Sequence, residues 1–263
     1  MHFAAGGPAA VYADSIARTA RGIGIEPVVV TPPYGVTLTD LAARIGALNR
    51  DPTVAGIVVA QPVPPHLVAH EVVALIDPGK DVDGATPLNT GRLARGDTDA
   101  FVPATAAAVM ELLRAYQIPI AGRRAVVVGR SPVVGRPVAA LLTAADATVL
   151  VCHRETRNLA RETRRAEILV VAAGVSGLIR SEMVNRSAVV VDCGINVTSD
   201  GIVGDVDFDT LRPVVRAITP VPGGVGPVTT MMVLEQTVRA AERAAPESDP
   251  SLARFEPAAA PRS

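Results

Sequence analysis

The residue pattern with the clearest chemistry is a glycine-rich turn that joins a short apolar run to a helical pattern. Residues 125–128 are small or β-branched apolar residues, as in a strand buried on both faces of a parallel sheet. Gly129 allows a tight turn, and Gly135 allows the following helix to pack closely against the strand. Exposed N–H groups at that helix start would suit a pyrophosphate. The pattern indicates either a dinucleotide site or an ordinary strand-to-helix corner.

The residues around this turn favour NADP over NAD. Ser131 stands where a second glycine is usual, and a second apolar strand, residues 148–152, follows at the distance that a βαβ unit requires. That strand ends in His153 and Arg154 rather than in the acidic residue that holds a free ribose 2′-hydroxyl group. Arg154 and Arg130 can instead pair with a 2′-phosphate, unless they are solvated surface charges.

A polar, glycine-bounded loop at residues 78–84 contains Asp81 and the single lysine of the chain, Lys80. Because Lys80 is the only lysine among the 25 basic residues of the chain, any chemistry that needs a lysine must use Lys80. Cys152 and Cys193 lie at the ends of predicted strands, which favours small buried side chains over a disulfide or a metal pair. No metal site is expected.

The elements that must position these residues alternate between helices and strands. Helical patterns cover residues 9–22, 40–49 with Thr39 as its cap, 67–76, 105–116 and 228–241. Strand patterns cover residues 26–31, 54–60, 125–128, 148–152, 168–173, 188–192 and 217–219. This alternation predicts an α/β fold with a parallel doubly wound sheet, arranged as two α/β layers with the ligand cleft between them.

Composition narrows the class of protein. The chain has 263 residues, of which 49% are hydrophobic and 3% aromatic, so the core must be aliphatic. A net charge of −1 gives no electrostatic case for nucleic acid or an anionic membrane. The longest apolar runs fall short of the ~20 residues of a membrane span, and the first residues lack the features of a signal peptide. We expect a cytoplasmic protein.

Three loops carry a resemblance to a known family. Residues 78–93 resemble its Lys-Asp-Val-Asp-Gly loop and the Asn-x-Gly-Arg-Leu segment that follows. Residues 129–137 resemble its Gly-Arg-Ser-x-x-Val-Gly-x-Pro cofactor loop, and residues 219–229 its highly specific Thr-Pro-Val-Pro-Gly-Gly-Val-Gly-Pro-x-Thr loop. Over residues 8–242 the chain thus resembles the bifunctional methylenetetrahydrofolate dehydrogenase/methenyltetrahydrofolate cyclohydrolase family.

The resemblance implies a two-domain α/β fold with the active-site cleft between the domains. Residues 1–113 would form a folate-binding catalytic domain, and residues 114–226 a Rossmann-like NADP-binding domain. A helix over residues 227–242 would return to the first domain. Residues 243–263, rich in Ala, Pro, Ser and charge, are expected to form a disordered tail. The resemblance further implies NADP as cofactor, a folate substrate and a homodimer.

The resemblance also implies site residues, with Asp81 and Tyr12 as the catalytic pair. Asp81 would read the pterin, because a carboxylate can accept hydrogen bonds from a ring N–H and an adjacent amino group. The alternative is an aspartate that caps a loop or helix, and Asp83 is expected to stay in the turn. The implied substrate-binding residues are Tyr12, Gln61, Asp81, Pro222 and Gly223. The implied cofactor-binding residues are Gly129, Arg130, Ser131, Arg154, Gly174 and Ile195.

Several positions depart from the family pattern. The family places a lysine four residues after the tyrosine, where this chain has Ile16, and that lysine carries the hydrolytic chemistry. The family glutamine directly precedes a hydrophobic residue and a proline, whereas Gln61 is displaced by one position. Ala106 and Ala108 stand where the family tends to have Pro and Gly. The family normally has a helix and most of a strand ahead of the position of Pro8, so we expect either a misassigned start or a shortened chain.

The resemblance implies NADP-dependent oxidation of 5,10-methylenetetrahydrofolate to 5,10-methenyltetrahydrofolate, and the departures predict that hydrolysis to 10-formyltetrahydrofolate is weak or absent. Hydride transfer depends mostly on juxtaposition of the two reactants. Hydrolysis needs proton transfer, and loss of a positioned acid or base costs about 10²–10⁴-fold. Two alternatives remain, a non-catalytic paralogue that binds NADP or folate, and another two-domain NADP oxidoreductase such as an amino-acid or shikimate-type dehydrogenase.

Overall fold

The computed structural model describes residues 1–3, 8–199 and 201–245. Its helices are α1 (Pro8–Gly22), α2 (Leu38–Arg50), α3 (Ala69–Val73), α4 (Pro87–Ala94), α5 (Ala104–Ala115), α6 (Gly135–Ala144), α7 (Leu159–Thr163), α8 (Phe208–Leu211) and α9 (Val225–Ala244), with a 3-10 turn at Ser181–Met183. Its strands are β1 (Arg124–Val128), β2 (Thr148–Cys152), β3 (Ile168–Val171), β4 (Val189–Asp192), β5 (Asn196–Thr198), β6 (Gly201–Val203) and β7 (Ala217–Ile218). Residues 246–263 of the predicted tail lie outside the described residues, and α9 includes its first two residues.

A five-stranded parallel sheet organises the second half of the chain. Its strand order is β2-β1-β3-β4-β7, so β1 lies between β2 and β3. Val126 of β1 is in register with Leu150 on one side and Leu169 on the other. The strand order and the parallel pairing confirm the predicted α/β doubly wound fold.

The central strands β1, β3 and β4 are buried on both faces, which explains why they are continuous apolar runs. On one face, Val127 and Val170 pack with side chains of α5 and α6. On the other face, Val126 and Leu169 pack with a cluster that includes Leu211 of α8. The core is aliphatic, as the composition requires.

Ala106 and Ala108, the two departures on α5, are fully buried in the first of these clusters. Helix α5 packs closely against both α6 and α9. Small methyl side chains permit this approach, so alanine satisfies the packing at both positions.

The predicted strands at residues 26–31 and 54–60 do not form regular ladders among the described residues. Ile57 makes an isolated parallel bridge to Asp81. Residues 1–3 are tied to both segments by backbone hydrogen bonds of 2.7–3.1 Å. The prediction of two regular strands is therefore wrong for the described residues, although residues 1–3 are joined to each segment by single hydrogen bonds.

Helix α2 begins earlier than predicted because a different threonine caps it. Thr37 has an extended backbone, and its side-chain oxygen accepts a hydrogen bond of 3.1 Å from the N–H of Asp40. Thr39, the predicted cap, lies inside the helix. A capping oxygen must precede the N–H that it satisfies by two or three residues, and Thr37 meets this requirement.

Helix α9 returns to the first half of the chain and packs against α1 and α5. Gln236 of α9 is 5% exposed and provides the polar part of this contact. Its Nε2 donates to the carbonyls of Val82 and Val102 at 2.8 and 2.9 Å, and its Oε1 accepts from the N–H of Val102 at 2.9 Å. One side chain therefore satisfies three backbone groups of loops that flank the candidate site.

Replacing Gln236 by leucine should lower the free energy of unfolding by about 3 kcal/mol, because each buried backbone group left without a partner costs about 1–3 kcal/mol. Urea denaturation followed by circular dichroism measures the change. Glu242→Leu, at an exposed position of the same helix, is the matched control and should stay within about 0.5 kcal/mol of the parent. A loss below about 1 kcal/mol for Gln236→Leu would contradict this role.

Candidate active site

The turn after β1 has the geometry that its glycines predict. Gly129 has φ +129°, and a Cβ there would collide with the carbonyl of Ala172 at the end of β3. A Cβ at Gly135, the first residue of α6, would collide with the carbonyl of Gly129. Strand, turn and helix therefore approach each other through backbone atoms, which is the close packing that a dinucleotide requires.

Ser131 caps α6 and changes the predicted anion site. Its Oγ accepts hydrogen bonds from the N–H groups of Val134 and Gly135 at 3.2 and 3.4 Å. The N–H of Arg136 donates to the Ser131 carbonyl at 3.1 Å. The prediction of exposed N–H groups at this helix start is wrong, because Ser131 takes them. The Ser131 hydroxyl group still has a proton to donate, and it is this group that would meet a pyrophosphate oxygen.

The other predicted cofactor residues lie at the same edge of the sheet. Arg130 follows β1, Arg154 follows β2, Gly174 follows β3 and Ile195 follows β4, and all four are exposed. The Arg154 side chain is 87% exposed and pairs with Glu155 at 3.1 Å. Such a surface pair contributes little energy, so Arg154 can exchange this partner for a phosphate. The parallel sheet thus brings the whole set to one edge.

The carboxylate of Asp81 is bonded by the protein itself. Its carboxylate is fully buried. One oxygen accepts from the N–H of Ala85 at 3.0 Å, and the other accepts from the N–H of Thr86 and from Asn89 Nδ2, both at 2.8 Å. The carboxylate holds the turn before α4, and three protein donors occupy it. The capping alternative is the one that the structure supports.

The sequence contained a signal for this capping role. Thr86 caps α4, Pro87 occupies its first turn, and the side chain of Thr86 accepts from the N–H of Asn89 at 3.4 Å. A threonine followed by proline marks a helix start, whose N–H groups require acceptors. Asp81 lies shortly before this helix start and accepts from the N–H groups of Ala85 and Thr86, the two residues that precede Pro87.

Asp83 is the carboxylate beside Tyr12. It is partly buried, and it accepts a long hydrogen bond of 3.4 Å from the N–H of Ala104. Burial, with a smaller contribution from the charge of Asp81, raises the pKa of Asp83 to about 7. Burial and the charge of Asp83 raise the pKa of the Tyr12 hydroxyl group. The charge of Asp83, rather than that of Asp81, therefore acts on the Tyr12 hydroxyl group.

The environment of this pair is apolar. Tyr12 and Ile16 lie four residues apart on α1, and both pack with Val58 against a buried cluster that contains Val82 and Phe101. Burial without a nearby cation favours the neutral form of a carboxyl group, which agrees with the raised pKa of Asp83.

Lys80 is directed elsewhere. Its Nζ donates to the carbonyls of Leu48 and Asp51 at 3.1 and 2.6 Å, at the C-terminal end of α2. A cation at a helix C-terminus satisfies carbonyl groups that lack intrahelical partners. The single lysine of the chain thus serves as a cap for α2.

Gln61, Pro222 and Gly223 lie on exposed loops. Ala60 is 4% exposed, so the one-residue displacement leaves alanine facing the interior and Gln61 facing solvent. Gly223 has φ +101° and lies in the turn that leads into α9. The positive φ explains the glycine at this position.

Within the described ranges, no group of three or more metal-binding side chains comes together. In the same part of the chain, no helix has the length and apolar character to cross a membrane.

A parallel doubly wound sheet with a glycine turn after its first strand is typical of dinucleotide-binding domains. Residues 103–245 match the family model of the tetrahydrofolate dehydrogenase/cyclohydrolase NAD(P)-binding domain, and residues 4–83 match that of the catalytic domain. The chain belongs to the tetrahydrofolate dehydrogenase/cyclohydrolase family. The predicted family and α/β fold class are confirmed.

Individual relatives agree with this assignment. The bifunctional protein FolD 1 of Saccharopolyspora erythraea is 49% identical over 236 residues, covering 89% of this chain and 80% of the relative. The crystal structure of the bifunctional FolD enzyme from Campylobacter jejuni is 43% identical and has a TM-score of 0.89, covering 92% of this chain and 86% of that one.

A third relative bears on the cofactor. The Trypanosoma brucei dehydrogenase-cyclohydrolase, solved with NADP and an inhibitor, is 39% identical and has a TM-score of 0.85, covering 89% of this chain and 82% of that one. The prediction of NADP as cofactor is confirmed at the level of the domain, because residues 103–245 are an NAD(P)-binding domain. The residues at the edge of the sheet fit such a group through the glycine cradle and the Ser131 hydroxyl.

The raised pKa of Asp83 gives stability a specific pH dependence. The folded protein keeps a proton on Asp83 that the unfolded chain releases between pH about 4 and 7, so the parent loses stability as pH rises through this window. Asp83→Asn has no proton to lose. The melting temperature of the variant minus that of the parent should therefore be larger at pH 8 than at pH 5.

Differential scanning fluorimetry across this pH range measures the difference. Asp14→Asn, on the exposed side of α1, is the control and should change the melting temperature equally at both pH values. Parallel curves for Asp83→Asn and the parent would contradict the burial of an ionisable Asp83.

Proposed function

We propose that this protein oxidises 5,10-methylenetetrahydrofolate to 5,10-methenyltetrahydrofolate with NADP⁺, and that its hydrolysis of the product to 10-formyltetrahydrofolate is weak or absent. Membership of the family supports the dehydrogenase reaction. The observation that carries the second part is the apolar surrounding of Tyr12, in which Ile16 stands at the lysine position while Lys80 caps α2.

The dehydrogenase reaction makes few demands on acid or base groups. The lone pair of a folate nitrogen assists departure of hydride from the bridging methylene carbon, and the product is a resonance-stabilised methenyl cation. When bound, NADP⁺ supplies the hydride acceptor. The chain must hold the folate ring against this acceptor, and positioning of this kind supplies several kcal/mol of the barrier reduction.

We assign the folate side of the site to Tyr12, Asp83, Gln61, Pro222 and Gly223. Asp83 replaces Asp81 in this proposal, because Asp81 is fully buried under three protein donors. Asp83 is partly buried beside Tyr12 and retains acceptor capacity for the ring N–H and amino groups of a pterin.

A carboxyl group at this place also suits the charge of the product. The methenyl product is a cation, and an anionic Asp83 attracts it, whereas a lysine at the position of Ile16 would repel it. With a pKa of about 7, Asp83 is half ionised near neutral pH. An ionised Asp83 therefore favours formation of the cation, while the apolar neighbours of Tyr12 supply no acid or base group for its hydrolysis.

On the cofactor side we assign Gly129, Arg130, Ser131, Arg154, Gly174 and Ile195 to the dinucleotide, with Arg154 and Arg130 on the 2′-phosphate. Their positions after four neighbouring strands support this assignment. Arg154 is the most informative of the set, because no acidic residue in its place is available to hold a free 2′-hydroxyl group.

Assays of both activities, combined with a lysine introduced at Ile16, test the proposed reaction. Purified parent protein should reduce NADP⁺ with methylenetetrahydrofolate, followed by absorbance at 340 nm, and should hydrolyse methenyltetrahydrofolate no faster than buffer. The double variant Ile16→Lys with Ala60→Gln should raise the hydrolysis rate by about 10²-fold or more, since a positioned acid–base group contributes about 10²–10⁴-fold.

Ile16→Met with Ala60→Gln is the matched control, because it changes the same positions without adding an amine. It should leave hydrolysis at the rate of buffer. Hydrolysis by the parent well above that rate would refute the loss of the second activity. Binding of both ligands without reduction of NADP⁺ would instead favour a non-catalytic paralogue.

Arg154→Ala should raise the KM for NADP⁺ about 10–100-fold and leave the KM for NAD⁺ within about twofold, because a hydrogen-bonded charge pair is worth about 1.5–3 kcal/mol. Steady-state kinetics with each nucleotide measures the two values. Arg157→Ala, another exposed arginine on the same loop, is the control. An equal rise for both nucleotides would contradict contact between Arg154 and the 2′-phosphate.

A further inference from the structure

Two buried aspartates lie among the loops at the cofactor edge of the sheet, and no sequence motif singled them out. Asp205 is fully buried and Asp192 is 3% exposed. Asp192 is the last residue of β4, and Asp205 follows β6. Buried carboxylates are costly unless hydrogen-bond donors surround them, so their partners indicate what they do.

Asp205 joins two loops that follow different strands. Its Oδ2 accepts hydrogen bonds from the N–H groups of Ala173 and Gly174, after β3, at 2.6 and 2.8 Å. Its Oδ1 accepts from Asn196 Nδ2, after β4, at 2.8 Å. Hydrogen bonds to an ionised acceptor are about twice as strong as those between neutral groups. One carboxylate therefore sets the distance between the two loops.

Asp192 holds Asp205 in place. Its Oδ1 accepts from the N–H groups of Asp205 and Gly194 at 3.0 and 2.8 Å, and its Oδ2 accepts from the N–H of Val206 at 3.0 Å. A Cβ at Gly194 would collide with Asp205, and one at Gly204 would collide with Asp192. The pair is closely packed and leaves no space for another side chain between the loops.

The strand order shows which half of a dinucleotide lies over these loops. In a doubly wound sheet the pyrophosphate lies at the turn after the first strand, and the adenine ribose lies at the end of the next. Here β2, which precedes Arg154, flanks β1 on one side, while β3 and β4 extend from its other side. The nicotinamide half must then extend over β3 and β4, toward Gly174 and Ile195.

Asp205 accepts hydrogen bonds from the loops that contain Gly174 and Ile195, and both of these residues are exposed to solvent. Gly174 is exposed with φ +68°, and its N–H donates to Asp205. Ile195 is 61% exposed and directly precedes Asn196. A ligand on this surface contacts the loops, and the loops depend on a carboxylate that the ligand does not reach.

We propose that Asp205 is a positioning residue for the nicotinamide half of the cofactor, and that it acts by fixing the Ala173–Gly174 loop against the Ile195–Asn196 loop. This inference rests on the proposed placement of the cofactor along the sheet edge. It does not depend on the folate reaction.

Asp205→Asn tests the proposal with little change in volume. An asparagine offers one acceptor oxygen where the aspartate offers two. Its NH2 group must then face either the N–H groups of Ala173 and Gly174 or Asn196 Nδ2, and all of these are donors. Isothermal titration calorimetry with NADP⁺ and with 2′,5′-ADP, which lacks the nicotinamide half, separates the two halves of the site. The Kd for NADP⁺ should rise at least about 10-fold, and the Kd for 2′,5′-ADP should stay within about twofold.

Two further variants keep the result interpretable. Asn196→Ala removes one donor of the same network without a buried charge change, and it should show the same selectivity if Asp205→Asn fails to fold. Asp207→Asn, two residues away at the cap of α8, is the matched control and should change neither affinity.

A parallel rise in both Kd values would show a general loss of domain structure and overturn the proposal. Unchanged values would overturn it as well, while the proposed dehydrogenase reaction would stand. Failure of the parent to bind either nucleotide would overturn the cofactor placement together with this inference.

Discussion

A buried aspartate that collects amide N–H groups is the interaction on which both halves of this protein depend. Asp81 and Asp205 are fully buried, and each accepts three hydrogen bonds: Asp81 from its own loop and α4, and Asp205 from the loops after β3 and β4. The loops that follow buried strands have few ladder partners, yet their N–H groups must be satisfied. A carboxylate satisfies several of them at once. The loops that carry the candidate site are ordered in this way.

Some of the acidic residues therefore hold loops in place, while others remain available to a ligand. Asp81 is fully buried and accepts three hydrogen bonds from protein donors, whereas Asp83, two residues later, has a raised pKa and its charge acts on Tyr12. Lys80 likewise has a structural role, because its ammonium group donates to a carbonyl at the C-terminal end of α2. The candidate folate site consequently contains a carboxyl group and a phenol among apolar side chains, an arrangement that suits a cationic product.

The parallel sheet determines how the second reactant is presented. Four successive strands of the sheet, β2, β1, β3 and β4, end at one edge, and each is followed by a residue of the proposed cofactor set. Helix α9 then returns to the first half of the chain through Gln236. Helix α9 thereby links the nucleotide-binding domain to the loops at Val82 and Val102, and Val82 packs in the same cluster as Tyr12.

Much of this protein is determined by local sequence. The apolar runs of β1 to β4, the glycine turn at Gly129, the long helices and the family itself follow from residue types and spacing, because burial on two faces and close backbone approach each permit few residues. Local sequence did not predict which threonine caps α2 or that protein donors surround Asp81. It also did not predict that the described residues 26–31 and 54–60 form no regular ladder. Each of these depends on which distant groups supply hydrogen-bond partners. Spacing along the chain places an aspartate in a loop, but only the tertiary structure decides whether protein N–H groups or a ligand reach its oxygens.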